Sequence, residues 1–249
     1  MDWQDEGIIL ATRPFGETGL IVDLMTSAHG RHSGLVRGGR SKRLRPLLQP
    51  GTSVAAVWQA RLEDSLGSYR LEATETRTAA LIESAPALFG LELVAALLHE
   101  LPERAPHGRL YGALALIVDH LAEPLAGGEL IARFELLFLE EMGFGLDLAT
   151  CAATGATTEL IHVSPKSGRA VSREAGLPYA DRLLALPAFL TDPGLRADAP
   201  ALADAFRLTG HFLARHVFPP PEALPPARDR YLSALSGAAG LRAGPDPVT

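Results

Sequence analysis

Cysteine is nearly absent from this chain. Cys151 is the only one in 249 residues, which excludes an internal disulfide framework. Long apolar runs are missing too. Stretches such as 114–118 and 136–139 are broken by charge well short of the roughly 18 residues a membrane span requires, so no transmembrane helix is expected. The opening Met1-Asp-Trp-Gln-Asp-Glu6 is acidic where a signal peptide needs a basic start, and the cytoplasm is the expected compartment. The most informative absence is local. Residues 31–62 contain no Asp or Glu, although the chain has 29 acidic residues against 23 Lys and Arg and a net charge of -6.

What fills that gap is basic: Arg31, Arg37, Arg40, Lys42, Arg43, Arg45 and Arg61. The densest part, Arg37-Gly-Gly-Arg-Ser-Lys-Arg-Leu-Arg-Pro46, is polar and glycine-bearing between two apolar stretches, so an exposed loop is predicted. An acidic protein binds a polyanion only through such clustering, and nucleic-acid phosphates suit a basic loop best.

The hydrophobic period divides the chain near residue 80. Before it, five short stretches read as strands: 7–12, 19–26, 30–37, 52–62 and 66–73. In the fourth, Val54, Ala56, Trp58, Ala60 and Leu62 share one face and Ser53, Val57, Gln59 and Arg61 the other. Five short strands are too few for a sandwich and suit a small barrel, with the basic loop between strands three and four. After residue 80 the period lengthens to that of helices. The apolar stripes are Leu88, Leu91, Ala95 and Leu98; Leu110, Leu114, Ile117 and Leu121; Leu130, Phe134, Leu137, Phe138 and Met142; and Leu202, Phe206, Thr209, Leu213 and Val217. A short helix over 228–235 follows. Residues 151–175, rich in Thr, Ser and Gly, do not fit a bundle. The expected organisation is α+β: a barrel over 1–80, a helical domain over 81–236 and a flexible tail over 237–249.

Apparent catalytic motifs are weak. Gly34-Leu-Val-Arg-Gly-Gly39-Arg40-Ser41 has P-loop spacing with Arg40 in the lysine position. A P-loop must open a helix, and Pro46 falls in what would be that helix. The eight histidines form no recurring ligand pair. Cys151 with His162 lacks a nucleophile signature, and Glu140 and Glu141 diverge on their helix. No acid, base and nucleophile converge, so no enzyme is expected. Trp3, Phe15 and Trp58 are candidates to stack bases; Trp58, on the apolar strand face, reads as core.

Taken in order, several segments resemble one family. Glu6-Gly-Ile-Ile-Leu10, Phe15-Gly-Glu-Thr18, Met25-Thr26, His29-Gly-Arg31, Val36-Arg-Gly-Gly-Arg-Ser-Lys42 and Leu47-Leu-Gln-Pro-Gly51 are similar to the N-terminal domain of RecO, the bacterial recombination mediator family. Arg133-Phe-Glu-Leu-Leu137, Glu141-Met-Gly-Phe-Gly-Leu-Asp147 and Cys151-Ala-Ala-Thr-Gly155 are similar to the helix and turn that lead into that family's zinc-ribbon-like insertion.

The resemblance implies an OB-fold barrel, a helical domain and a function without catalysis. It implies binding of single- and double-stranded DNA, annealing of strands coated by the single-stranded-DNA-binding protein SSB, and, with the partner RecR, help in loading RecA, in the cytoplasm at the nucleoid. Arg37, Arg40, Lys42, Arg43 and Arg45 match the family's basic segment and are the DNA-binding candidates. Arg133 stands where relatives receive the acidic C-terminal tail of SSB. The chain departs from metal-bearing relatives, which have two Cys-x-x-Cys pairs: here the positions hold Cys151, Thr154, Ser172 and Ala175. One thiolate does not make a structural zinc site, so no metal or other cofactor is expected, and Val163 and Val171 are expected to hold the insertion by packing. Two other readings follow from the residues: a protein-binding adaptor on a scaffold barrel, and a phosphate-handling enzyme built on Gly34 to Ser41.

Overall fold

A computed structural model describes residues 1–62 and 65–239, and the chain divides into two compact units, Met1–Ala122 and Glu123–Thr249. The first unit opens with five strands, β1 (Asp2–Phe15), β2 (Gly19–Thr26), β3 (Gly30–Val36), β4 (Ser53–Gln59) and β5 (Ser68–Glu75). β1 is long because it serves two neighbours. Its first half pairs with β4, with Trp3 opposite Trp58, and from Gly7 onward it pairs with β2. A register shift between Ile9 and Ala11 marks a bulge where it passes from one partner to the other. Such an extra residue bends a strand and lets a sheet curl. β4 and β5 are antiparallel, and a parallel contact of Leu35 with Ser68 joins β3 to β5. The result is a closed barrel in the order β1-β2-β3-β5-β4.

Alternation fills the barrel. Ile9, Val22, Leu24, Val54, Ala56, Trp58 and Tyr69 point inward and are buried. Gly34 belongs to this packing, because a Cβ there would stand 2.4 Å from the Tyr69 ring. Three helices complete the unit: α1 (Thr78–Glu83), α2 (Ala85–His99) and α3 (Gly108–His120). The Ser84 hydroxyl accepts from the Ala87 N–H at 3.3 Å and Pro86 sits in the first turn, so α2 starts with a side-chain cap. The stripe predicted for α3 is buried throughout, whereas on α2 Leu88 is exposed and Val94 and Leu97 take up the core face with Leu91 and Leu98. The connection after α2 lies tightly on the β2–β3 turn. Gly30 has φ +66, a Cβ on it would fall 1.8 Å from the Ala105 carbonyl oxygen, and the Arg104 N–H donates to the Arg31 carbonyl at 2.8 Å.

The second unit holds α4 (Pro124–Glu141), β6 (Leu160–Val163), β7 (Ala170–Ser172), α5 (Arg173–Gly176), β8 (Leu184–Ala185), α6 (Ala199–His216) and α7 (Pro226–Ala239). Asp198 caps α6, its carboxylate accepting from Ala201 N–H at 2.9 Å. Phe134, Phe138, Leu202, Phe206, Leu213 and Tyr231 supply much of the core. The three short strands form a sheet in the order β7-β6-β8. The fold is therefore α+β. Packing groups α1 to α3 with the barrel, whereas the sequence boundary at 80 follows the change from strand to helix. α7 runs to Ala239, three residues into the stretch read as a flexible tail, and 240–249 lie outside the described residues.

Candidate nucleic-acid interface

Between β3 and β4 the chain forms consecutive turns, and no helix follows the P-loop-like spacing. The first glycine of that spacing, Gly34, is a strand residue packed on Tyr69, so phosphate-cradle geometry is not there. The loop has its own logic. Leu48 is buried and Leu44 packs against the barrel core, while the Ser41 carbonyl accepts from Leu44 N–H at 3.2 Å and Arg45 N–H at 3.0 Å. Two apolar anchors thus hold the second half of the loop on the barrel core, and the cations before and between them face outward. Arg37, Arg40, Lys42, Arg43 and Arg45 are all exposed.

One of the five also braces the loop. Arg40 donates through Nη1 to the carbonyls of Glu17 at 3.0 Å and Gly16 at 3.3 Å, and its backbone N–H donates to Thr18 O at 3.1 Å. The segment is thereby tied to the β1–β2 turn, beside which Phe15 stands half-exposed. Among the described residues no carboxylate lies within ion-pair distance of these five cations. Arg31, counted in the basic run, behaves differently: it pairs with Glu103 at 3.0 Å and Asp23 at 3.7 Å and is largely buried. Trp58 is core, as its place on the apolar face predicts, and Trp3 packs against it with ring centroids 5.8 Å apart.

On α4, Arg133 donates to Glu129 at 3.2 Å and to the Asp192 carbonyl at 3.4 Å, and its guanidinium lies 5.6 Å from the centre of the Phe189 ring. Glu129 is itself buried, and it also accepts from Arg196 at 3.3 Å and from Ala197 N–H at 3.0 Å. Two arginines therefore flank one carboxylate, and one of them, Arg133, lies beside an aromatic ring. The sequence singles out Arg133 as a candidate but not Arg196, which lies 63 positions later in a loop with no periodic signal.

The fold of residues 151–175 brings Cys151 to the end of β7. The Ser172 N–H donates to its Sγ at 3.3 Å, and hydrogen bonds from the Ser172 and Thr154 side chains draw the thiol down to about 6. Thr154, Ser172 and Ala175 supply no soft ligand, so this donor set does not fit zinc. Among the described residues no group of three or more His, Cys, Asp and Glu could hold a metal ion. Val163 and Val171 are buried, as expected. Among the same residues no helix is long and apolar enough to cross a membrane.

Comparison with known proteins agrees with this picture at the level of family. Residues 1–77 match the family model described as Recombination protein O N terminal, and residues 80–225 match Recombination protein O C terminal. The chain is 58% identical over 238 residues to "DNA repair protein RecO" of Mesorhizobium japonicum, covering 94% of each chain. It is 54% identical to the protein of the same name from Brucella abortus, over 97% of this chain and 98% of the relative. With that of Rhizobium etli it shares 52% identity over the full length of both. With both halves matched and curated relatives aligned almost end to end, the chain belongs to the recombination protein O (RecO) family.

Proposed function

We propose that the barrel is an OB fold that binds single- and double-stranded DNA through Arg37, Arg40, Lys42, Arg43 and Arg45, in a protein that acts in DNA repair and recombination without catalysing a reaction. The observation that supports this most is the combination on one loop of five exposed cations and two leucine anchors, Leu48 buried and Leu44 partly buried. The anchors give the loop a fixed base, and arginine offers phosphate a fork of donors and unpaired bases a stacking plane. In this reading the protein anneals complementary strands coated by SSB and, with RecR, promotes loading of RecA. Arg133, beside Phe189, and Arg196, on the same Glu129, receive the acidic and apolar tail of SSB. A carboxylate on arginine next to an aromatic surface is sound chemistry for such a tail. The Cys151 turn and β7 correspond to a zinc ribbon that has lost its ligands and is held by packing and hydrogen bonds.

The test is a salt series with a labelled single-stranded oligonucleotide, comparing wild type with Arg37, Arg40 and Arg43 all changed to Glu. For four to six phosphate contacts, log K falls with log salt at a slope of roughly -3 to -4 in wild type and much more shallowly in the variant. An unchanged steep slope moves the site to another surface. No binding by wild type at any salt favours the adaptor reading.

A further inference from the structure

At the end of the barrel away from the basic loop, β1 begins, β4 ends and β2 turns into β3. Here the inward-facing side chains are aromatic rather than aliphatic. Trp3 lies between two rings: the His29 imidazole, 4.2 Å away and 9° from parallel, and the Trp58 indole, 5.8 Å away at 20°. His32 meets the Trp58 ring edge-on at 4.8 Å. A cavity of about 370 Å³ opens beside this stack, lined by Trp3, His29, His32, Trp58 and Arg104 together with the exposed Met1 and Asp2. Its volume falls within the range of small-ligand clefts, and the rings of Trp3, His29, His32 and Trp58 line it beside Arg104, Asp2 and Met1.

Two features give the cavity a chemical preference. Arg104 has φ +64, which an L side chain rarely adopts. That backbone holds its guanidinium 5.8 Å from the centre of the Trp58 ring, while Nη2 donates to Ser65 O at 2.9 Å. A cation already sits over the indole, so a cationic ligand is disfavoured and a flat, electron-rich ring that accepts hydrogen bonds is favoured. His32, buried and bonded to Tyr69 at 3.0 Å, is held neutral by burial and by Arg104, with its pKa lowered to about 4, so it adds no positive charge to the cavity at neutral pH. The His29 side chain keeps 35% of its surface exposed at the end of the stack, which leaves a place for one more ring. Among the described residues Asp2 is the only carboxylate lining the cavity, and it works against a phosphate group entering with the ring.

From this geometry we infer that the aromatic end of the barrel, built on Trp3, His29, Trp58 and Arg104, is a second nucleic-acid subsite that takes up an unpaired base of a single strand. This rests on the DNA-binding reading above and adds to it a source of preference for single strands. The basic loop meets phosphates, which duplex and single strand share. The aromatic end needs a base freed from its stack.

Both tryptophans of the protein belong to the cluster, so intrinsic tryptophan emission reports on this site alone. The experiment titrates the full-length protein with oligo(dT) and with an abasic oligomer of equal length and charge. Oligo(dT) is expected to quench or shift the emission and to bind roughly tenfold more tightly than the abasic chain, the usual scale of one stacked base. His29→Ala is expected to remove that difference without weakening abasic binding, which also shows that the variant is folded. His29→Phe, which keeps a ring but loses the bond to Asp5, is expected to retain the difference. Equal affinity for the two oligomers, unchanged emission, or loss of the difference in both variants overturns the inference. The loop reading fails separately: the variant with Arg37, Arg40 and Arg43 changed to Glu must weaken both oligomers alike, and if it weakens neither, the loop is wrong whatever the aromatic end does.

Discussion

Arg40 donates to the backbone carbonyl of Glu17 at 3.0 Å, so a residue chosen by charge also fixes the shape of the loop that carries the charge. Arg40 and Arg43 should then behave differently. Arg43→Ala removes one exposed cation and should lower the salt slope for single strands by about 0.7, the value of one phosphate contact. Arg40→Ala should lower affinity by more than one contact and speed proteolysis within 37–45, because the tie to the β1–β2 turn is lost with the charge. Equal effects of the two variants on affinity and on proteolysis would show that the bond to Glu17 is incidental.

The second unit contains a buried ion pair whose disruption should be costly. Arg228 meets Glu135 through Nε at 2.9 Å and Nη2 at 3.2 Å and donates to Phe206 O at 2.6 Å, and Thr209 also bonds the carboxylate. Gly210 makes room, since a Cβ there would stand 2.8 Å from the guanidinium. Arg228→Met leaves a buried carboxylate without its partner, so about 3–5 kcal/mol of stability should be lost. Replacing both, with Glu135→Leu added, should recover most of it, because desolvation of the pair is removed together with the attraction. Urea unfolding of the three proteins measures both steps.

How much of this was legible in sequence depended on whether a residue's role was periodic. The alternation of Val54, Ala56 and Trp58 gave β4, although Leu62, read on the same face, lies past the strand's end and is exposed, and β2, β3 and β5 fall within two residues of the positions read. β1 was read from Gly7, five residues late, because no apolar run precedes it; Asp2, Gln4 and Glu6 are the outward-facing positions of a strand whose inward residue there is Trp3. On α4 the stripe included Leu130 and Leu137, yet the buried face runs through Ile131, Phe134, Glu135 and Phe138. The displacement has a cause that hydrophobicity cannot show: Glu135 is core because Arg228, 93 positions later, neutralises it. The basic loop was legible because charge clustering is local. The aromatic end of the barrel was not, since Trp3, His29, Trp58 and Arg104 come together only when β1 meets β4 and the connection after α2 packs on the β2–β3 turn.

Acid should destabilise the first unit through His32. Its folded pKa is depressed from 6.5 to about 4, first by burial and then by Arg104, so between those values the unfolded chain binds a proton that the folded barrel refuses. Stability from this source is complete above about pH 6.5 and falls as pH drops toward 4, by about 3 kcal/mol in all. His99 has the opposite sign. Its hydrogen bond to Asp23, only partly offset by burial, raises its pKa, so its contribution is present below about pH 6.5 and is lost as pH rises through the folded value. The two windows do not cancel. Urea midpoints at pH 7 and pH 4.5 should therefore differ more in wild type than in His32→Gln, which has no proton to gain; an equal difference in both would assign the acid sensitivity elsewhere.

Arg133 and Arg196 supply the last prediction. Both contact Glu129, but Arg133 is three-quarters buried beside Phe189 whereas Arg196 is 83% exposed. An acidic, apolar peptide should therefore lose more from Arg133 than from Arg196, because a charge beside a ring with restricted access to water is screened less. Arg133→Glu also places a second carboxylate against Glu129. The expected result is loss of binding to an SSB-tail peptide by at least tenfold in Arg133→Glu and a smaller loss in Arg196→Glu, with wild-type affinity falling as salt rises. Calorimetric titration of the three proteins decides it. An Arg133→Glu protein that binds the peptide as tightly as wild type would reduce Arg133 to a helix-surface partner of Glu129, which its hydrogen bond at 3.2 Å already allows.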